Sequence, residues 1–367
     1  MIFILFASLF SCESDYDIVP RLPDIDPSEI TACDFEPIAN SRLSRYRCNP
    51  IFPNTNDQWS SGIGSVSFHV TEVLGHPFYQ IWYVQYNEDE SFYGLGYAVS
   101  DNGIDWTPHP SNPLIEKDPS AWDQDYMGSQ VVFWDPLRSE YVMAYQGVTF
   151  GADEFSSGTW GLGIATSPNG LEWAKSADNP VLNFIDDFSY DAEVRPCWPL
   201  TLRATESGYT GYVSASIMGS NGSCQMYEYF SPDLVNWQVY SESPVLYTGF
   251  SYDRMGFSDA TVVEWVDPQT EEKWLYMFYV GFSDVIDHQG YYEAKDTTLG
   301  LAISYDDGQT WEKHQDNPLP VNLTTVGEIS SIGARVIGSR IHLWVGDQYN
   351  DTGAIGYFYY EPGIAPH

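Results

Sequence analysis

The sequence predicts an all-β fold, a five-bladed β-propeller with four antiparallel strands in each blade. Three observations lead to this prediction. A short phrase, Asn-Pro followed by an apolar residue, occurs five times, once with Ser in place of Asn. A turn that runs from Ser to Trp precedes the last four copies. Short aromatic or β-branched segments fill the intervals, and no stretch has a long helical period.

The repeated phrase marks the beginning of each predicted blade. Its copies begin at Asn49, Asn112, Asn179, Ser243 and Asn317. The preceding turns end at Trp106, Trp173, Trp237 and Trp311, which are about 64 to 74 residues apart. Repetition at a nearly constant interval indicates that one structural unit is used five times. We expect these four tryptophans to be structural.

Each repeat contains three clear strand segments. The first strands are predicted at 64–70, 128–134, 194–202, 258–265 and 332–337. The second strands are predicted at 79–83, 141–145, 209–213, 274–279 and 341–345, and the third at 95–99, 162–166, 225–230, 299–303 and 355–360. The last repeat ends without a fourth strand, whereas residues 41–47 precede the first phrase. We therefore expect residues 41–47 to supply the outer strand of the last blade and to close the ring.

The N-terminus is predicted to direct export. Residues 1–12 have the pattern of a lipoprotein-type signal peptide, 13–40 form an acidic, proline-rich tether, and 41–367 form the propeller. The segment before Cys12 resembles a bacterial lipoprotein box, and a plain signal peptide is the alternative because no Lys or Arg precedes it. We expect an extracellular or periplasmic monomer that contacts the membrane only through a lipid at Cys12.

The remaining cysteines are expected to form disulfides, as exported proteins tend to do. They are Cys33, Cys48, Cys197 and Cys224. The most local of the three alternative pairings joins Cys33 to Cys48 and Cys197 to Cys224. No CxxC motif or His-rich spacing indicates a zinc site.

The charge of the chain excludes some partners. Its 51 acidic and 15 basic residues give a formal net charge of −36, which argues against binding to nucleic acid or to an anionic membrane. The simplest interpretation is a solvated acidic coat, and the alternative is local acid clusters that bind Ca²⁺. Clusters around Asp187 and Asp284 lack EF-hand spacing, so the sequence predicts no metal ligand and leaves Ca²⁺ open.

Several motifs resemble a known group of enzymes. The turn from Ser231 to Trp237, the Gly-Leu-Gly strands that begin at Gly94 and Gly161, and the Asn-Pro phrases resemble the five-bladed furanosidase superfamily over residues 41 to 360. That superfamily includes arabinanases, β-xylosidases, fructosidases and mannoside phosphorylases of glycoside hydrolase families 43, 32 and 130. The resemblance implies action on an arabinose-, xylose- or related glycan in the central cleft.

A second resemblance concerns the turn from Ser304 to Trp311, which matches the Asp-box of sialidases. Sialidases have six blades and an arginine triad, whereas this chain has five repeats and few arginines. We therefore interpret the Asp-box as a propeller hairpin, and a sialidase-like activity is the less favoured alternative.

The superfamily resemblance implies a catalytic set of an Asp from blade 1, an Asp from blade 2 and a Glu from blade 3 that acts as general acid. Glu193 matches the general acid by position. The usual first-blade Asp is absent, because residues 59–67 contain no acid and Asp57 is the nearest. The second-blade Asp is also absent, and Asp125 replaces it only by proximity. Asp259, on the first strand of blade 4, is the other candidate base.

Other residues are expected to bind substrate. They are Arg195, Asp191, Glu328, Trp122, Tyr126 and Trp198, with Trp59, Tyr190 and Tyr252 as further aromatics. Packing between blades is the alternative for each aromatic. Two hypotheses remain: a glycoside hydrolase with Glu193 as acid and Asp259 or Asp125 as base, and a non-catalytic glycan-binding surface lipoprotein.

Overall fold

The computed structural model describes residues 33–52, 62–73, 76–86, 93–150, 159–183, 195–216, 223–240, 243–288, 291–321, 328–348 and 354–363. These ranges contain strands, turns and loops but no helix. Accordingly, no helix within them is long and apolar enough to cross a membrane. Their strands form five antiparallel sheets, which are the blades of a five-bladed β-propeller.

The strands follow the chain blade by blade. Two N-terminal strands come first, β1 (Phe35–Pro37) and β2 (Leu43–Tyr46). Blade 1 contains β3 (Gly62–Val73), β4 (His76–Tyr86), β5 (Tyr93–Ser100), β6 (Thr107–Pro108) and β7 (Ile115–Glu116). Blade 2 contains β8 (Tyr126–Asp135), β9 (Glu140–Thr149), β10 (Thr159–Ser167), β11 (Ala174–Lys175) and β12 (Leu182–Asn183).

Blade 3 contains β13 (Arg195–Thr205), β14 (Gly208–Ser216), β15 (Cys224–Ser231) and β16 (Gln238–Val239). Blade 4 contains β17 (Gly256–Val266), β18 (Lys273–His288), β19 (Tyr291–Ser304) and β20 (Glu312–Lys313). Blade 5 contains β21 (Glu328–Ile337), β22 (Arg340–Gln348) and β23 (Ala354–Tyr360). Within the described ranges, the predicted first, second and third strands all lie inside observed strands.

The ring closes as predicted. Strand β2 pairs with β23, with Leu43 opposite Tyr360, and so becomes the fourth strand of blade 5. Strand β1 adds a fifth strand outside β2, within the stretch assigned to the tether. The innermost strands β3, β8, β13, β17 and β21 contact one another in a closed circle around the channel. Closure leaves no exposed edge between the first and last blades.

The Asn side chain of the repeated phrase completes the third strand of a blade. Asn112 accepts a hydrogen bond from the Tyr97 N–H and donates one to the Tyr97 carbonyl, both at 3.0 Å. The same two bonds join Asn49 to Tyr357, Asn179 to Ile164 and Asn317 to Leu301. Because the chain then pairs again with that third strand, the phrase ends one blade rather than beginning the next.

The Ser-to-Trp turns also have a consistent structure. In the first, the Ser100 hydroxyl accepts the N–H of Gly103 at 2.9 Å, and Ser167, Ser231 and Ser304 make the equivalent bond. The turn of blade 2 contacts blade 1, because the carbonyl of Gly170 accepts the indole N–H of Trp82 at 2.8 Å. The turns therefore hold neighbouring blades together, in agreement with the structural assignment of these motifs.

Disulfides are present in the described part of the chain. Cys33 and Cys48 are bonded to each other, as predicted. Cys224 is also disulfide-bonded. Cys12 and the side chain of Cys197 lie outside the described part, so the second predicted pairing stays a prediction.

We expect Asn179→Ala to lower the free energy of unfolding by about 1 to 3 kcal/mol, because it leaves the Ile164 N–H without a partner and removes one of the two hydrogen bonds to the Ile164 carbonyl. Urea denaturation monitored by tryptophan fluorescence measures this change. The neighbouring exposed Asp178→Ala is the control and should have little effect. An Asn179→Ala protein as stable as the wild type would contradict the strand-completing role of the amide.

Candidate functional site

One end of the propeller carries the predicted site residues that the structure describes. We call it the front face, the end at which the five innermost strands begin. Each innermost strand has a bulge near its beginning, at residues 63–66, 128–131, 196–198, 257–259 and 329–331. A bulge leaves backbone groups unpaired and redirects side chains. The bulges therefore place polar groups where adjacent blades meet around the channel.

Side chains at these bulges join adjacent blades. The Ser67 hydroxyl of blade 1 accepts the N–H of Val132 in blade 2 at 3.0 Å. The Gln130 amide of blade 2 donates to the Ser65 carbonyl of blade 1 at 2.7 Å. These bonds satisfy backbone groups that the bulges release from the sheets.

Asp259 makes the equivalent link between blades 4 and 5. Its carboxyl, with the residue only 9% exposed, accepts the N–H groups of Ala260 and Ile332, both at 2.9 Å. Burial raises the pKa of Asp259 to about 8, although these two hydrogen bonds lower it. The carboxyl therefore keeps its proton at neutral pH and suits the donation of a proton better than its acceptance. The assignment of Asp259 as a base stays a prediction.

Three serine hydroxyls extend this polar region. Those of Ser258, Ser330 and Ser331 are buried and have no hydrogen-bond partner among the described residues. Ser258 precedes Asp259, and Ser331 precedes the Ile332 that donates to it. Buried hydroxyls normally have partners. This cluster thus has unused capacity to bind water or the hydroxyl groups of a ligand.

The two other described acids contact neighbouring loops. Asp125 accepts the N–H of Phe150 at 2.7 Å and is partly exposed. Glu328 accepts both the N–H and the hydroxyl of Thr297, at 2.8 and 2.9 Å, and thereby joins blade 5 to blade 4. Both carboxylates stabilise loops at the front face, and each retains lone pairs for a ligand.

Two of the described aromatic candidates, Trp122 and Tyr126, pack against the bulge and strand of blade 2. The ring of Trp122 stacks on Tyr145 at 5.8 Å and lies against Gly147, where an added Cβ would come within 2.3 Å of it. The ring of Tyr126 lies over Gly128, and burial raises the pKa of its hydroxyl. The contacts of both residues agree with the packing alternative, although each residue is partly exposed, so a role in substrate binding stays a prediction.

The structure describes the remaining predicted residues only in part. Glu193 and Asp191 lie outside the described residues, as do Asp57, Trp59 and Tyr190. Arg195 and Trp198 lie at the beginning of β13, the position expected for them, but their side chains are not described. No group of three or more His, Cys, Asp or Glu is arranged to bind a metal within the described ranges.

Sequence reasoning missed two buried ion pairs. In blade 2, Lys175 binds Asp123 at 2.5 Å, and the hydroxyl of Tyr145 donates to the same carboxylate at 3.3 Å. In blade 4, Lys313 binds Asp253 in the same way. The sequence did contain a signal for these ion pairs. Only these two repeats have both an aromatic-Asp pair and a Lys two residues after the Trp that ends the Ser-to-Trp turn.

The blade 4 pair underlies an exposed aromatic surface. Phe250 is 55% exposed and stacks on Tyr252 at 5.5 Å with nearly parallel rings. Its N–H donates to Asp253 at 3.0 Å, and the ammonium of Lys313 lies 5.0 Å from its ring centre. The loop that carries Phe250 precedes β17, so this ring lies on the front face. A supported flat ring of this kind offers an apolar face for stacking.

Comparison with known proteins relates this geometry to a fold. No family model matches the sequence, and no curated protein is similar to it in sequence. A thermostable family-43 glycoside hydrolase superposes with a TM-score of 0.54 at 15% identity, over 83% of this chain and 95% of the other. The fold is that of the glycoside hydrolase propellers.

Two further structures agree. A glycoside hydrolase of the GH130 mannoside phosphorylase family has a TM-score of 0.55 at 15% identity, over 90% of this chain and 94% of the other. The Bombyx mori GH32 β-fructofuranosidase also has a TM-score of 0.55 at 15% identity, over 84% of this chain and 62% of the other. The predicted structural relationship to families 43, 32 and 130 is therefore confirmed at the level of the fold.

The raised pKa of Asp259 predicts a pH-dependent stability. The folded state keeps a proton that the unfolded chain releases near its ordinary pKa of 3.8, so the contribution of Asp259 is complete below that pH and is lost as the pH rises to about 8. In Asp259→Asn this dependence is absent. As the pH rises, the free energy of unfolding of the variant should therefore fall less steeply than that of the wild type, and the two slopes should differ by up to about 1.4 kcal/mol per pH unit.

Urea denaturation of both proteins at pH 5, 6, 7 and 8 measures the two slopes. The surface variant Asp101→Asn controls for the loss of one acidic side chain. Equal slopes for the wild type and Asp259→Asn would show that the buried carboxyl does not retain its proton.

Proposed function

We propose that this protein is a glycoside hydrolase that binds a glycan at the front face, with Glu193 as general acid. The observation that carries the proposal is the supported, exposed Phe250 ring at the front of a propeller with the glycoside hydrolase fold. Around the channel, the same end carries the Asp259 carboxyl and three serine hydroxyls without partners.

Glycoside hydrolysis requires two carboxyl groups on either side of the scissile bond, one of which is protonated. In the sequence, Glu193 is two residues before Arg195, the first residue of β13, and the beginning of β13 faces the front like those of the other inner strands. Asp125 is partly exposed at the front of blade 2 and is the better candidate for the ionised partner. Asp259 is the alternative, and its raised pKa favours a protonated carboxyl there.

A non-catalytic glycan-binding protein is the second candidate. One observation favours it, since Asp125, Glu328 and Asp259 all accept hydrogen bonds from the protein itself. A carboxylate whose oxygens already accept hydrogen bonds from loops and bulges is less able to accept a proton as a catalytic base. In that case the front face would bind the glycan through aromatic and hydroxyl groups alone.

Turnover tests the first candidate. We expect wild-type protein to hydrolyse at least one substrate among aryl arabinofuranosides, aryl xylosides and a panel of polysaccharides, and Glu193→Gln to lose about 10²- to 10⁴-fold in rate. Glu206→Gln, an exposed substitution at the opposite end of blade 3, is the matched control and should keep full activity. Full activity of Glu193→Gln would refute its role as general acid.

Binding measured on the same panel separates the two candidates. We expect Phe250→Ala to weaken glycan binding about 5- to 50-fold through the loss of stacking, whereas Tyr305→Ala, an exposed aromatic at the other end of blade 4, should bind normally. Binding without turnover supports the glycan-binding protein. Binding that does not depend on Phe250 would place the glycan elsewhere.

We also propose that the protein is exported and anchored by a lipid at Cys12. The disulfides support this proposal, because they form and persist in oxidising compartments. Cell fractionation should find the wild type with membranes and Cys12→Ser in the soluble fraction. If the wild type and Cys12→Ser divide equally between the membrane and soluble fractions, Cys12 carries no anchoring lipid and the N-terminus is a plain signal peptide.

A further inference from the structure

Arg335 is a charged residue that the proposed site does not use. It lies on β21, about 13 Å further along the innermost strand than Ser331 and away from the front face. Gly333, two residues earlier and on the same side of the strand, lies against Phe68 of blade 1. Arg335 is therefore directed toward the junction of blades 5 and 1.

The guanidinium of Arg335 has few partners. Its one hydrogen bond goes to the carbonyl of the adjacent Ala334, at 3.0 Å, and it makes no ion pair with any described residue. Four of its five N–H donors are therefore unused within the described part of the chain. The residue keeps partial solvent access, so a small solute reaches it.

Among the described residues around Arg335, none supplies a compensating charge. Burial alone lowers its pKa, to about 10, and no carboxylate contributes in the opposite direction. His69 on β3 is close enough for Arg335 to lower its pKa, and His342 is opposite Arg335 on β22. Burial lowers the pKa of both imidazoles to about 4, so they are neutral at physiological pH.

The acidic composition of the chain makes an arginine without a carboxylate partner unusual. The chain has 51 acidic residues and only 15 basic ones, so a carboxylate partner would be easy to supply. A partly enclosed charge that lacks a counter-ion is less stable than one that is paired. A guanidinium matches the planar oxygens of a carboxylate or sulfate through paired N–H donors. An oxyanion from solution would use the free donors and compensate the charge of Arg335.

We propose that Arg335 binds a small oxyanion, a carboxylate or a sulfate, at the junction of blades 5 and 1. This site lies apart from the front face and does not depend on the proposed function. The same oxyanion chemistry has two sources, a free anion from the medium or the acidic group of a sugar.

The test measures thermal unfolding of the full chain with acetate, sulfate, glucuronate or glucose, at an ionic strength held constant with sodium chloride. We expect the three oxyanions to raise the Tm of the wild type in a saturable way, with a Kd of about 1 mM or lower, and glucose to have no effect. Glucuronate binding more tightly than acetate identifies a sugar-borne acid, and equal binding identifies a free anion.

Three variants locate the effect. Arg335→Met should lose the response to oxyanions, and Arg335→Lys should bind at least about tenfold more weakly, because an ammonium lacks the planar fork. Arg340→Met removes an exposed arginine that pairs with Glu361 and should respond like the wild type. Isothermal titration calorimetry gives the corresponding Kd values.

The behaviour without added oxyanion is a second readout. If Arg335 is a binding residue with an unpaired charge, Arg335→Met should be at least as stable as the wild type in chloride alone. A lower Tm for Arg335→Met in chloride, together with no response of the wild type, would show a purely structural role. Equal responses of the wild type and Arg335→Met would also overturn the proposal.

Discussion

The front face depends on carboxylates buried beneath its loops. Asp253 has no solvent exposure, binds the ammonium of Lys313 and accepts the N–H of Phe250. Tyr279 contacts the same carboxylate, and the Asn317 amide donates to the Tyr279 hydroxyl at 3.3 Å. The Asp253 carboxylate thus connects the loop that carries Phe250 with the second and fourth strands of blade 4. Through Tyr279 it is also linked to the Asn-Pro phrase. Blade 2 repeats the arrangement with Asp123 and Lys175.

This arrangement explains how the loop before β17 holds the ring of Phe250 toward solvent. A buried ion pair is favourable only when further hydrogen bonds satisfy both groups. The tyrosine hydroxyl and the backbone N–H supply them here, so the loop is fixed by several contacts rather than by one. Phe250 is consequently presented by a rigid support, so the glycan binding proposed above would require little ordering of this loop.

The acids of the front face illustrate how structural and chemical roles compete. Asp259 replaces a missing backbone partner between blades 4 and 5, as Ser67 does between blades 1 and 2. The substitution of a carboxyl for a hydroxyl adds a titratable group at a point where the channel is enclosed. Its pKa of about 8 follows from that enclosure. A residue can therefore occupy a catalytic-looking position and still be required by the sheet.

The sequence by itself determined the number of blades, the strands and the closure by residues 43–46. These features depend on motifs whose partners are close along the chain or repeat at regular intervals, such as Ser100 with Gly103. The tertiary structure alone decided that Lys313 binds Asp253, that Asp259 binds Ile332 in the next blade, and that no described acid pairs with Arg335. The first two pairs are 60 and 73 residues apart, and no local pattern specifies which charges the ring brings together.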